Sequence, residues 1–237
     1  CMMLENYCYF QNVMMILNLL DQGLFGDMVH SEVGYQKDER FLQIGPNGEI
    51  DDSYGKLRRD TNGNLYPTHA VGPASWSMKV HRGDRFDFIV SVSTRAANLH
   101  EYAVRQFGAE HPAAKIEFRN GDVNTSIIRT VKGRTITVYY DAQSPRPWDP
   151  ILRFESTKGV FMGSMDKFYA EGLSPDDRIW EDAAPYYEKY AHPLWKKYGG
   201  QDIQLGRGVC EYLVVHQFVQ AVRRKAETPL NVYDAAA

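Results

Sequence analysis

Tyr66-Pro67-Thr68-His69 sets a phenol and an imidazole three residues apart, where a Gly/Asn-rich stretch, Asn62-Gly63-Asn64, gives way to a helical pattern. Pro67 suits a first helical turn, because its missing N–H would be unpaired there in any case. Residues 67–78 read as a helix with Val71, Trp76 and Met78 among its apolar positions, and Gly72-Pro73 predict a kink. The dipole at a helix N-terminus favours negative charge and lowers the proton affinity of an imidazole. His69 would then serve as a neutral acid or base near physiological pH, with Tyr66 beside it. The same residues also suit a plain helix-capping turn with a buried, hydrogen-bonded histidine.

Composition narrows what this chemistry could serve. A chain of 237 residues, 43% hydrophobic, can bury a sizeable core in one domain. A net charge of −3 leaves no electrostatic footprint for nucleic acid. No apolar run is long enough to span a membrane as a helix. Cysteines at 1, 8 and 210 are too few and too scattered for a disulfide framework or a zinc site. Simple glycosidases hold two carboxylates across the scissile bond, and no such pair stands out here. The 15 tyrosines suit either sheet packing or a cleft in which rings stack on sugars. The remaining histidines (30, 81, 100, 111, 192 and 216) show no convergent spacing and read as structural or surface groups.

The elements that must position these residues follow from periodicity. Residues 1–5 read as a short buried strand and 11–24 as a helix with Val13, Ile16, Leu17 and Leu20 on one face and Gly23 as its stop. Residues 28–35 read as a strand with Val29, Ser31, Val33 and Tyr35 on one face. A polar loop is expected over 36–62. Phe86, Phe88, Val90 and Val92 share a face of the next strand, and Lys132-Gly133 turns a hairpin whose second strand shows Ile136, Val138 and Tyr140 on one side. Short strands at 151–156 and 160–163, an irregular excursion over 173–207 and a helix at 209–224 complete the pattern. In that last helix Tyr212, Val215, Val219 and Val222 form the apolar stripe. This is an α+β chain: an open, mainly antiparallel sheet with helices on one face.

Several short segments carry a resemblance, in order along the chain. They include Met2-Met3-Leu4-Glu5-Asn6, Gly23-Leu24-Phe25-Gly26-Asp27, Glu32-Val33-Gly34-Tyr35, Gly63 to His69, Arg82-Gly83-Asp84-Arg85-Phe86-Asp87, Gly121 to Thr125, Ser144-Pro145-Arg146-Pro147, His192 to Lys196 and Asn231 to Ala237. Together they resemble the Gfo/Idh/MocA oxidoreductase superfamily, and more closely glycoside hydrolase family 109, the NAD-dependent α-N-acetylgalactosaminidases. Such proteins begin with a Rossmann domain, yet no G-x-G-x-x-G lies between a strand and a helix here. The resemblance therefore implies a C-terminal portion, with residues 1–10 the remnant of the last Rossmann strand and 11–237 the substrate-binding and oligomerisation domain.

The resemblance also implies NAD as cofactor, a carbohydrate substrate and a homo-oligomer formed through the sheet. Transient oxidation at sugar C3 would acidify the C2 proton, elimination would release the glycosidic oxygen, and water would then add. Residue by residue, Asn6 matches a position that contacts NAD, Tyr35 a substrate-contacting tyrosine, and Tyr66, Pro67, Thr68 and His69 the substrate-binding motif. Within these, proton transfer at the sugar hydroxyl or leaving oxygen falls to His69, with Tyr66 orienting the substrate or sharing that role, and the base at C2 is left open among Tyr35, Tyr66 and His69. Two positions depart from the family. Trp148 stands where members carry a tyrosine, which removes a phenol O–H. Tyr54 stands where members carry an arginine, with Arg58 and Arg59 nearby; Arg58 is taken as the candidate for substrate binding, and which of the two replaces the family arginine is left open. Two other readings stay open: a sugar or cyclitol dehydrogenase, and a non-catalytic carbohydrate-binding or oligomerisation module. The sequence leaves the compartment open: analogy with glycan degradation points to the periplasm or secretion, with the cytoplasm as the alternative.

Overall fold

The computed structural model describes residues 1–51, 53–204, 206 and 208–237; Asp52, Leu205 and Arg207, within the expected 36–62 and 173–207 stretches, lie outside the described residues. Eight strands form one sheet among them: β1 (Met28–Gln36), β2 (Phe86–Ser93), β3 (Asn124–Thr130), β4 (Thr135–Asp141), β5 (Asp149–Ser156), β6 (Gly159–Met162), β7 (Lys167–Ala170) and β8 (Glu181–Asp182). The helices are α1 (Gln11–Asp21), α2 (Arg40–Gln43), α3 (Tyr54–Asp60), α4 (Thr68–Ser77), α5 (Asn98–Phe107), α6 (Ala184–Lys189), α7 (Pro193–Tyr198), α8 (Val209–Arg224) and α9 (Val232–Ala236). The strand order is β2-β3-β4-β1-β5-β6-β7-β8. β1 runs parallel to β4, and the other strand pairings of the sheet are antiparallel among the described residues.

Register sorts the side chains onto two faces. Ser31, Val33 and Tyr35 of β1 sit beside Ile136, Val138 and Tyr140 of β4, with Phe154 and Leu152 of β5 completing the layer. These residues are buried, and α4 lies over β1, β4 and β5 on this side. Burying each large apolar side chain of this layer stabilises the fold by roughly 1.5–3 kcal/mol. α1 packs behind α4 and ends as expected, with Gly23 at φ +68° turning the chain out of the helix. On the opposite face Glu32 joins Tyr139 and Arg153 in a half-exposed polar cluster.

Several expectations are corrected. Residues 1–5 form no strand: Met3 N–H donates to the Leu230 carbonyl, and residues 6–9 wind into a single 3-10 turn with the Glu5 side chain accepting from Tyr7 N–H. The segment runs against α4 and α8 rather than along a sheet edge, so no ladder forms. A bulge between Met28 and His30 turns Val29 outward, away from Ser31, Val33 and Tyr35. Another bulge, between Phe86 and Phe88, divides the β2 stripe. Phe86 pairs with Thr130 on the helix side, while Phe88, Val90 and Val92 face outward.

The expected loop over 36–62 contains α2, α3 and a bridge between Ile44 and Ile50. The 173–207 excursion contains β8, α6 and α7, and β7 was not anticipated. α8 has the expected bounds but is rotated. Cys210, Leu213, Val214 and Ala221 are buried, whereas Val215, Val219 and Val222 are exposed.

Candidate functional site

Three chain segments meet at the mouth of the β1–α4 layer. Tyr35 stands at the C-terminal end of β1, Tyr66 and His69 at the start of α4, and Glu5 and Tyr7 in the N-terminal segment. α4 comes close to that segment because Gly72 has no side chain; a Cβ there would lie 2.9 Å from Glu5 Cγ and 3.2 Å from Cys8 Sγ. The His69 ring is 9% exposed and stacks on Tyr7 with centroids 3.9 Å apart and an interplanar angle of 8°.

His69 is held at both nitrogens. Nδ1 lies 2.8 Å from Glu5 Oε1 and 3.0 Å from Oε2, while Nε2 lies 3.2 Å from the Tyr66 hydroxyl. A carboxylate only accepts hydrogen bonds, so Nδ1 donates to Glu5, and in the tautomer with hydrogen on Nδ1 alone Nε2 accepts from the Tyr66 O–H. Tyr66 is 39% exposed and presents its oxygen to the cleft. The Tyr35 ring sits 5.2 Å from Tyr66 and 5.5 Å from His69. Its hydroxyl donates to Glu39 Oε1 at 2.7 Å. Burial first, then the bond to Glu39 and that carboxylate's charge, push the Tyr35 phenol above its ordinary value.

These residues line a cavity of about 390 Å³ together with Lys37, Tyr54, Leu57 and Arg58. A second hollow of about 260 Å³, lined by Tyr7, Phe10, Tyr35, Lys37 and Trp148, shares Tyr35 and Lys37 with it. Trp148 is thus beside the site, half exposed and available for stacking. The structure separates the two arginines: Arg58 is buried in the cavity wall, donating to the Tyr140 hydroxyl and to the Tyr54 carbonyl at 3.0 Å, whereas Arg59 is exposed and pairs with Asp60. Burial is the main cause that pushes the Tyr140 phenol up to about 12, against the Arg58 charge.

Pro67 and Thr68 turn away from His69 and line a separate apolar cavity with Val71, Phe86 and Ile128. Asn6 is 8% exposed, and its amide donates to Glu211 over 3.5 Å. Asn6 could offer an amide to a nicotinamide dinucleotide, but no dinucleotide cradle is built from the described residues. No group of three or more His, Cys, Asp or Glu could hold a metal ion among the described residues, and no described helix is long and apolar enough to cross a membrane.

Sequence reasoning missed Glu5 and Glu39. Glu5 lay within a quoted motif, but its partner is 64 positions away. Glu39 carried a local signal, four residues after Tyr35.

Residues 9–237 match the family description "Glycosyl hydrolase 109, C-terminal domain". A glycosyl hydrolase family 109 protein of Solibacter usitatus is 40% identical over 242 residues, covering all of this chain and 54% of that protein. A Tannerella forsythia protein named alpha-N-acetylgalactosaminidase is 36% identical over 251 residues, covering 99% of this chain and 53% of its own length. The chain spans about half the length of the curated relatives it matches. Among solved structures, a levoglucosan dehydrogenase in complex with NADH and levoglucosan aligns with TM-score 0.58 at 18% identity, over 95% of this chain and 57% of that one. An NAD binding oxidoreductase from Klebsiella pneumoniae aligns with TM-score 0.62 at 16% identity, over 94% and 57%. Those two likenesses establish the shared fold. The match over residues 9–237, with relatives about 40% identical along the whole chain, establishes the lineage: this chain belongs to the glycosyl hydrolase 109 family.

Proposed function

We propose that the protein of which this chain forms the C-terminal part is an NAD-dependent glycosidase acting on α-linked N-acetylgalactosamine or a related sugar. The observation that carries this reading is His69, fixed between Glu5 and the exposed Tyr66 and facing Tyr35 across one cavity. The name of the Tannerella forsythia relative and the oxidoreductase fold support it.

The chemistry a bound nicotinamide dinucleotide supplies is reversible removal of hydride from sugar C3, which makes the neighbouring C2–H acidic. Asn6 is this chain's contribution to holding it. The other work falls to protein groups. Trp148, half exposed beside the site, stacks on the sugar, and Tyr66 and Tyr35 each hold a hydroxyl at the cavity. Elimination needs one proton removed at C2 and one delivered to the glycosidic oxygen, and these two hydroxyls supply both positions. Tyr54 in place of the family arginine and Trp148 in place of the tyrosine alter sugar recognition. Residues 1–237 by themselves are expected to bind NAD weakly and to be inactive. The outward face of β2 and β3 is the proposed contact with a second copy.

The test uses the full-length protein with NAD⁺ and p-nitrophenyl α-N-acetylgalactosaminide, following nitrophenol and NADH together. Nitrophenol release without net NADH, lost in His69→Ala, is the expected result. NADH accumulation with free sugars and no nitrophenol would make the protein a dehydrogenase instead. Turnover by the isolated chain would overturn the expectation for residues 1–237.

A further inference from the structure

Two of the hydroxyls lining the cavity, those of Tyr35 and Tyr66, are each backed by a buried carboxylate, but the backing differs. Behind Tyr66 stands His69, and behind His69 stands Glu5, 4% exposed. Behind Tyr35 stands Glu39 directly, 6% exposed, with no imidazole between. The charges make these two units opposite in function. If Tyr35 gave up its proton to a substrate, a phenolate would form 2.7 Å from an ionised carboxylate, both buried. Tyr35 can therefore take a proton only while passing its own to Glu39. On the other side an imidazolium at His69 is stabilised by Glu5, so Nε2–H can pass a proton to Tyr66 as Tyr66 releases its own.

We propose that Glu39, acting through Tyr35, is the final acceptor of the proton removed from sugar C2, and that Tyr66 with His69 and Glu5 delivers the proton to the leaving oxygen. The inference rests on the glycosidase reading. The steps balance. The C2–H bond breaks and its proton goes to Tyr35 Oη as the Tyr35 proton moves to Glu39 Oε1. The C3 hydroxyl proton, released as C3 is oxidised, goes through Tyr66 to His69 Nε2, so the ring is imidazolium when elimination begins. The electron pair forms C1=C2 as the C1–O bond breaks, and the leaving oxygen takes the Tyr66 proton, replaced from His69 Nε2. Water then adds across C1=C2, its proton returning to the Tyr66–His69 unit and from there to the C3 oxygen as C3 is reduced, while Glu39 gives its proton back through Tyr35 to C2. Lys37 Nζ lies 3.4 Å from the same Glu39 oxygen. The other charged or titratable groups acting on Tyr35 and Glu39 are Tyr7 from the N-terminal turn, Tyr66 before α4, and Tyr140 of β4 with Arg58 of α3 behind it. Glu39 is thus a positioning and proton-storing residue rather than one that touches the sugar.

Glu39→Gln in the full-length protein tests this, with Tyr35→Phe alongside. The expected result is a loss of about 10²-fold or more in kcat with KM little changed. The isotope effect with C2-deuterated substrate should grow, while NADH formed in a single turnover persists. A readout independent of turnover is phenol absorbance. One tyrosine, absent in Tyr35→Phe, should ionise at lower pH in Glu39→Gln than in the parent. Unchanged kcat and an unmoved Tyr35 titration in Glu39→Gln would overturn the proposal while leaving the glycosidase reading intact. A parent protein that neither reduces NAD nor releases nitrophenol would overturn both.

Discussion

At the scale of single residues, the site is a set of protons placed by charge. Glu5 decides which nitrogen of His69 is protonated, and Glu39 decides that Tyr35 keeps its proton until the carboxylate can take it. Arg58 illustrates a cationic group that serves the wall of the cavity more than its contents. It is 2% exposed, spans the Tyr140 hydroxyl and the Tyr54 carbonyl, and leaves its Nε without a hydrogen-bond partner among the described residues. Arg58→Ala should strand the buried Tyr140 hydroxyl and empty space beside it, costing about 2–3 kcal/mol. Thermal unfolding should record a fall of roughly 4–10 °C for a chain of this size. Tyr35, Tyr66, His69 and Trp148 were legible in sequence because a motif and its family match named them. Glu5 was not, because a contact spanning 64 positions leaves no local trace.

Elements were legible where one face is buried and one exposed. β4 announces itself through Ile136, Val138 and Tyr140, and α1 through its apolar stripe and Gly23. Reading failed where geometry breaks the period. The two bulges shift Val29 and Phe86 relative to their neighbours, which period-two counting cannot register. It failed also for α8, where Val215, Val219 and Val222 keep helical spacing yet face outward.

One junction between elements makes a pH prediction. Asp84 follows α4 and ties it to the β3–β4 turn. It accepts from Thr130 Oγ1 at 2.8 Å, from the N–H of Arg85 and Lys132, and from Arg134. Burial acts to raise its pKa, but these hydrogen bonds and the Arg134 charge outweigh it and hold the carboxyl below the ordinary 3.8. A carboxyl held low in the folded state adds stability above its unfolded value and loses it as pH falls through the folded one. Asp84→Asn should therefore unfold at lower denaturant than the parent at neutral pH, with the difference closing only in acid below 3.8.

At the scale of the whole molecule, the sheet has one face committed to helices and an outer edge that is apolar and bare. Phe88, Val90 and Val92 on β2 and Ile127 on β3 are 48–68% exposed on one surface. An apolar surface of that kind is what the proposed contact with a second copy would cover. Sedimentation of the full-length protein should show an oligomer, and Val90→Lys should shift it toward the monomer without loss of secondary structure by circular dichroism. An unshifted sedimentation coefficient would place the subunit contact elsewhere.

The N-terminal segment has a consequence for how this lineage can be recombined. Glu5 and Tyr7 precede residue 9, where the match to the C-terminal domain begins, yet one sets the tautomer of His69 and the other carries its ring. A chimera joined at that boundary would exchange the sheet and α4 while importing a foreign carboxylate behind their central histidine. Domain grafts between relatives should be spliced ahead of Glu5 rather than at residue 9, so that the carboxylate travels with the histidine it holds.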